Sequence, residues 1–197
     1  TPQYQKQLIN KLIHLEKNKS IDMKTKEKMY PKTCSPPRFY GLPKIHKQDM
    51  PLRPIVSSID SITYKCSKYL ASIISPIIGK TEHHIKNAKQ FGELIANCRV
   101  EKDQELQSYD VTALFTSVPV DKAVACIRRK LEADSELHTR TTLTPSEIAE
   151  LLEIVLSCTY FTYNGKYYQQ IHGAAMGSPV SMIVCDAMME DIEEKAI

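Results

Sequence analysis

Residues 108–119 read SYDVTALFTSVP, and this stretch organises the interpretation of the whole chain. An acidic, turn-prone segment at residues 101–105 precedes it, and the pattern predicts a short strand that ends at Asp110. Pro119 and Asp121 predict the start of a helix, with Asp121 as its cap. A carboxylate at a strand end suits a metal ion, because the backbone holds it rigidly. Aspartate is also an ordinary cap or turn residue, so both interpretations of Asp110 remain open.

The charge of the chain is unevenly distributed. Residues 1–100 carry 18 Lys and Arg against 7 Asp and Glu, a net charge of +11. Residues 101–197 carry 8 against 16, a net charge of −8. A basic half favours contact with phosphates, whereas an acidic half contacts them poorly unless metal ions lie between. An uneven distribution of solvated surface charges would explain the same counts, so charge alone does not decide whether the basic half binds phosphates.

Composition is typical of a soluble globular protein with a substantial core. The 197 residues are 42% hydrophobic and 25% charged, enough for one large domain or two small subdomains. No apolar run reaches membrane-spanning length, and no secretory signal is visible. The six cysteines include no C-x-x-C pair and no zinc-ligand spacing. They predict reduced, mostly buried thiols in an intracellular protein.

Apolar periodicity and capping residues predict most of the helices. Thr144 and Glu147 form a capping box, with Pro145 at the first helical position. Ser20 is predicted to cap a short helix that ends by Tyr30. In the helix at 87–97, Phe91 and Leu94 are expected to face inward, and the acidic residues 190–194 are expected to form a solvated helix face. The full set of predicted helices is 4–17, 20–30, 61–75, 87–97, 121–131, 145–157 and 180–196.

Two further segments predict strands. Residues 32–47 read KTCSPPRFYGLPKIHK and residues 52–58 read LRPIVSS, which together predict an extended ribbon with a cationic face, here called the basic ribbon (residues 38–58). Asn164–Gly165 lies between two strand-like runs, a strong signal for a hairpin. After it comes GAAMGSPVS at 173–181, here called the glycine loop. Its small residues allow close approach by another backbone or by a nucleotide.

The basic ribbon, the central stretch 108–119 and the glycine loop stand in an order that resembles the fingers and palm of a reverse transcriptase. The similarity is greatest to the Penelope-like retroelement group and covers roughly residues 20–197. It implies an α+β fold in which helices pack on a small antiparallel sheet with a β-ribbon in the fingers. The implied organisation is a helical extension at 1–30, fingers at 31–100 and a partial palm at 101–197.

The resemblance also implies roles for particular residues. Asp110 matches the first metal-binding and catalytic carboxylate, and the carbonyl of Val111 would be a second metal ligand. Phe115 matches the ring that lies under the sugar and excludes a 2′-hydroxyl. The remaining implied nucleotide contacts are backbone amides, finger cations and residues of the second palm motif: Ala113, Leu114, Lys44, Arg53, Met176 and Gly177, with Lys47 a weaker match.

The resemblance implies RNA-directed DNA synthesis with two Mg²⁺ or Mn²⁺ ions, on an RNA template with a DNA primer and dNTPs. It implies a nuclear location and no membrane. Two departures qualify this expectation. Ala175-Met176-Gly177 replaces the usual Pro-Gln-Gly, and Ala175 and Met182 stand where proline is expected. No adjacent aspartate pair occurs in the 197 residues, so we expect the chain to lack the further metal-binding aspartates that Asp110 would need and to be inactive alone. The alternative is a non-catalytic nucleic-acid-binding module on the same fold.

Overall fold

A computed structural model describes residues 2–196 and shows an α+β protein. The strands are β1 (Arg38–Pro43), β2 (Leu52–Ser57), β3 (Tyr160–Tyr163) and β4 (Lys166–Gln169). The helices are α1 (Pro2–Lys17), α2 (Met23–Met29), α3 (Tyr64–Ile74), α4 (Ala88–Ile95), α5 (Leu114–Ser117), α6 (Val120–Glu132), α7 (Leu137–Arg140), α8 (Pro145–Ser157) and α9 (Ser181–Ala196), with a 3₁₀ turn at Ser75–Ile77.

The sheet has the strand order β2-β1-β3-β4 and is mixed. The basic ribbon and the later hairpin are both antiparallel, as predicted, but β1 and β3 run parallel where they meet at Arg38 and Thr162. The expectation of a purely antiparallel sheet was therefore wrong. Asn164 and Gly165 both adopt positive φ, which is the geometry of a type I′ hairpin turn.

The core lies among the long helices and extends to the glycine loop. Side chains from α1, α3, α6, α8 and α9 form one apolar cluster, which also contains Val118, Ala174 and Val180. The predicted apolar faces of α6 and α8 are buried in it, with Ile127, Leu131 and Leu152 almost inaccessible to solvent. These contacts bury apolar surface without any bound group, so the helical layer has its own source of stability.

Several local predictions were wrong. The N-cap of α2 is Asp22, because its carboxylate accepts a hydrogen bond from the N–H of Thr25 at 2.7 Å, whereas Ser20 bonds elsewhere. The N-cap of α6 is Pro119, and Asp121 lies in the first turn. Phe91 and Leu94 of α4 are both 52% exposed, since no described element covers that helix face.

The cysteines are all free, but fewer are buried than expected. Cys66, Cys126 and Cys185 lie in the core, while Cys98 is exposed. Burial raises the pKa of Cys66 to about 12, which keeps the thiol protonated.

Glu147 ties the start of α8 to the turn between α1 and α2. The capping box predicted for Thr144 and Glu147 is present, and the carboxylate of Glu147 also accepts a hydrogen bond of 2.5 Å from the hydroxyl of Ser20. Partial burial raises the pKa of Glu147, but the hydrogen bonds from Ser20 and Thr144 outweigh it and hold that pKa below its ordinary value of 4.5. A carboxyl whose pKa is lowered by folding stabilises the fold above its unfolded pKa.

We expect Glu147→Gln to lower the free energy of unfolding at pH 7 by about 0.5–1.5 kcal/mol, because the amide keeps the capping box but accepts weaker, uncharged hydrogen bonds from Ser20 and Thr144. The difference from wild type should shrink as the pH falls from about 4.5 through the lower pKa that Glu147 has in the folded protein, since the folded carboxyl then takes up a proton. Urea unfolding across this pH range measures it. Glu153→Gln, an exposed position on the same helix, is the control and should leave the pH dependence unchanged.

Candidate functional site

The glycine loop contacts the central stretch through Gly173. Gly173 has φ +72°, and a Cβ built on it would lie 2.5 Å from the Cα of Thr116 and closer still to the carbonyl oxygen of Phe115. The adjacent N–H of Ala174 donates a hydrogen bond of 2.7 Å to that same carbonyl oxygen. A side chain at position 173 would therefore separate the two segments.

The other end of the glycine loop contacts the basic ribbon through Gly177. Gly177 has φ +133°, and a Cβ there would lie 3.0 Å from the carbonyl carbon of Val56. The N–H of Val56 donates to the carbonyl oxygen of Met176 at 2.8 Å, and the hydroxyl of Ser58 donates to the carbonyl of Gly177 at 2.9 Å. The close approach predicted for this loop is thus an approach by two other backbone segments.

The three sequence motifs are therefore brought together around one short loop. An apolar cleft of about 370 Å³ lies where they meet. Met176, Val56 and Thr116 line it, one from each motif, and the hairpin contributes Phe161. Sequence order alone does not show this convergence, since the three motifs are far apart along the chain.

Asp110 does not end a strand. Residues 99–111 have no regular secondary structure, and Asp110 is exposed. The predicted strand was wrong, since residues 108–110 pair with neither edge strand of the sheet, β2 or β4. The segment is also strongly polar, so it has little apolar surface to bury against the helices.

The residues present do not by themselves make a magnesium site at Asp110. Within residues 2–196, no three His, Cys, Asp or Glu side chains are grouped so that they could hold a metal ion. Asp110 and the carbonyl of Val111, both exposed, are the donors that the sequence predicts. A divalent cation usually needs more carboxylates or substrate phosphates than these two groups supply.

Ala113, Leu114 and Phe115 lie at the start of the short helix α5. Ala113 is the N-cap and adopts φ +54°, a left-handed conformation that is uncommon outside glycine. Leu114 and Phe115 are partly buried and pack against the helical core. The ring of Phe115 therefore contributes to core packing, and its carbonyl holds the glycine loop.

The two predicted cations of the basic ribbon, Arg53 and Lys44, lie in different parts of it, one on a strand and the other in the loop after β1. Directly opposed residues of an antiparallel pair share a face, so Arg53 lies with Leu42, while Phe39 lies with Val56 on the face that lines the cleft. Lys44 lies in the loop after β1, where its N–H donates to the carbonyl oxygen of Pro51 at 2.9 Å. Neither cation forms a salt bridge with a residue in the described range 2–196. The structure therefore joins Met176 and Gly177 to the ribbon but places Arg53 on its other face.

The acidic residues of α9 are only partly a solvated face. Glu190 is 5% exposed, lies 2.9 Å from the ammonium of Lys130, and accepts a hydrogen bond of 2.5 Å from the N–H of Gly79. Asp191 pairs with Arg129. Burial raises the pKa of Asp186, and the neighbouring Glu190 raises it further. The expectation of a fully solvated cluster was wrong, because α6 supplies cations along its contact with α9.

An aromatic cluster on the sheet was missed at the level of sequence. The ring of Phe39 lies 5.4 Å from that of Phe161 and 5.5 Å from that of Tyr163, while Phe161 stacks on Tyr168 at 5.7 Å. The signal available was the number of aromatic residues in the hairpin strands, three in Tyr160–Tyr163 and two in Lys166–Gln169. It was insufficient because the pairing of β1 with β3, which brings Phe39 to the hairpin, is a long-range contact.

Comparisons of the chain with protein-family models, with curated proteins and with solved structures found no match. None of the helices described within residues 2–196 combines the length and apolar character needed to cross a membrane. The function proposed below therefore depends on the motifs and on the way the fold assembles them.

We expect Gly173→Ala to destabilise the protein much more than Gly165→Ala. Both glycines have nearly the same positive φ, +72° and +74°, but a Cβ at Gly165 meets no atom within 4 Å. Gly165→Ala should cost about 1–2 kcal/mol for the left-handed conformation alone. Gly173→Ala should cost a further ~1–3 kcal/mol, since Phe115 and Thr116 must move. Urea unfolding of the two variants measures the difference, and equal losses would contradict the close packing of the glycine loop.

Proposed function

We propose that this chain is the fingers and part of the palm of a reverse transcriptase, an RNA-directed DNA polymerase of a retroelement, with similarity to the Penelope-like group. The observation that carries the proposal is the assembly of its three motifs around the glycine loop. Gly173 packs on Phe115 and Thr116, and Gly177 packs on Val56. Motifs that match one family in order and also meet in space are more informative than motifs that match in order alone.

The proposed partners are an RNA template, a DNA primer and a dNTP. Lys44 and Arg53 would neutralise phosphate charge, and both are free of salt bridges to other residues of the range 2–196. Met176 and Gly177 would form the edge of the nucleotide site beside the basic ribbon. Two Mg²⁺ or Mn²⁺ ions would supply activation of the primer hydroxyl and charge neutralisation, but they would need carboxylates in addition to Asp110.

A second candidate is a non-catalytic nucleic-acid-binding module on the same fold. The specific observation that favours it is the state of the central stretch, in which Asp110 is exposed on an irregular segment. The two candidates share the nucleic-acid surface and differ in whether the chain can transfer a nucleotide. Experiments on binding and on synthesis therefore separate them.

We expect Lys44→Ala/Arg53→Ala to weaken RNA binding and to reduce its dependence on salt. Each phosphate contact with a single strand adds about 0.7 to the slope of log K against log salt concentration, so losing two contacts should lower the slope by roughly 1.4. Fluorescence anisotropy with a labelled RNA over a salt series measures this slope.

The matched control is Lys102→Ala/Lys122→Ala, which removes the same charge from exposed positions outside the ribbon. That control should lower the slope by much less. If the two double variants have equal slopes, the basic ribbon is not the phosphate surface.

We expect the 197-residue chain to bind a primer–template but not to extend the primer. Asp110 is a single carboxylate, whereas the proposed chemistry needs two cations held together with the triphosphate. Primer extension on an RNA template, with Mg²⁺ or Mn²⁺ and dNTPs, tests this expectation. Template-dependent extension that Asp110→Asn abolishes would overturn it and would show that further metal ligands come from elsewhere in the chain.

A further inference from the structure

The aromatic cluster lies on one face of the sheet and is open to solvent. Strand register places Phe161, Tyr163 and Tyr168 on the same face of the hairpin, and ring contacts join Phe39 of the basic ribbon to them. Tyr163 is 51% exposed and Tyr168 is 45% exposed. We call these four rings the aromatic face. Tyrosines exposed singly are common, but rings grouped in one exposed patch are typical of an interaction surface.

The sheet that carries the aromatic face is rich in cations, although Arg38 and Arg53 lie on its other face. The strands and their turns, residues 38–57 and 160–169, contain five Lys and Arg but only one acidic residue, Asp49. None of these five cations forms a salt bridge with another residue in the part of the chain that the structure describes. Lys166 is directly opposite Tyr163 and therefore shares the aromatic face. The sheet thus combines unneutralised positive charge with exposed rings.

We propose that the aromatic face is a stacking platform for a single-stranded nucleic acid. Unpaired bases would stack on Tyr163 and Tyr168, while Phe39 and Phe161 hold those rings in place from the cleft side. Lys166 would contact the phosphate backbone alongside. Base stacking on aromatic rings combined with a positively charged surface is the general mode of sequence-tolerant single-strand binding.

The same observations argue against other occupants. A duplex keeps its bases stacked on one another, so it could not use the exposed rings. A nucleic acid would also place phosphates beside Lys166, which shares the aromatic face and has no salt-bridge partner among residues 2–196. This inference rests on the proposed function in one respect only, which is that the partner is a nucleic acid. It adds a second surface, on the hairpin, to the one proposed on the basic ribbon.

The main test compares two variants of the hairpin. Tyr163→Val/Tyr168→Val removes both rings of the platform and keeps side chains that favour strands. Tyr167→Val is the control, because Tyr167 is 66% exposed but pairs with Thr162 on the opposite face of the same hairpin. The probe is a labelled 15-mer of oligo(rU) or oligo(dT), measured by fluorescence anisotropy, with a duplex of equal length for comparison.

We expect the double variant to bind the single strand about 5-fold to 150-fold more weakly for each ring lost, and the duplex with little change. The Tyr167→Val control should bind both probes like the wild type. Equal binding of the single strand by the double variant and the wild type would overturn the platform. So would equal losses in the double variant and the control.

A second measurement does not depend on the folding of any variant. The wild-type chain is crosslinked by light to an oligonucleotide that carries 5-iodouridine, and the modified peptide is identified by mass spectrometry. Crosslinks at Tyr163 or Tyr168 support the proposal, while crosslinks confined to Tyr167 or to residues outside the sheet overturn it.

These results are distinguishable from failure of the proposed function. If the platform variants bind normally while Lys44→Ala/Arg53→Ala binds weakly, the platform is wrong and the polymerase proposal stands. If no form of the protein binds RNA or DNA, both are wrong. Light scattering tests for one further occupant, a second copy of this chain. If the wild type is a dimer that Tyr163→Val/Tyr168→Val dissociates, and oligonucleotide binding does not change, the aromatic face binds a second copy and the platform is wrong.

Discussion

The fold depends on the close approach of three backbone segments at the glycine loop. Gly173 admits the backbone of Phe115 and Thr116, and Gly177 admits that of Val56. Both positions have positive φ, so the conformation and the lack of a side chain are needed together. The loop leads directly into α9, which packs in the helical core. The sheet and the helices are thereby fixed to each other through the five residues from Gly173 to Gly177.

The distribution of ion pairs explains how an almost neutral protein presents a basic surface. Three of the five acidic residues of α9 are paired with cations of α6: Lys130 contacts Glu190 and Glu194, and Arg129 contacts Asp191. The cations of the four-stranded sheet have no such partners among residues 2–196. Positive potential is therefore left on the sheet, which is the surface that both nucleic-acid proposals use.

Some parts of the candidate site could be predicted from the sequence, and other parts could not. The ribbon and the hairpin turn at Asn164–Gly165 are local properties, and local chemistry decides them. The glycines at 173 and 177 indicate a close approach, but only the fold shows that Phe115, Thr116 and Val56 are the residues that approach. Asp110 shows the limit of this reasoning. A strand at Asp110 would need a neighbour to pair with, and no local pattern reports whether the fold supplies one. The aromatic face was missed for the same reason, because Phe39 reaches Phe161 only through the pairing of β1 with β3.

The sequence by itself determined seven of the nine described helices, the two hairpins and the separation of charge between the two halves of the chain, but it did not indicate the four-residue helices α5 and α7. Apolar periodicity, capping residues and turn residues act over a few positions, so they are readable without coordinates. Only the tertiary structure decided that the sheet is mixed, that Glu190 is buried and that Arg53 lies on the face of the ribbon away from the cleft. Each of these depends on which distant segment packs nearby, and packing among distant segments is a property of the whole chain rather than of any window within it.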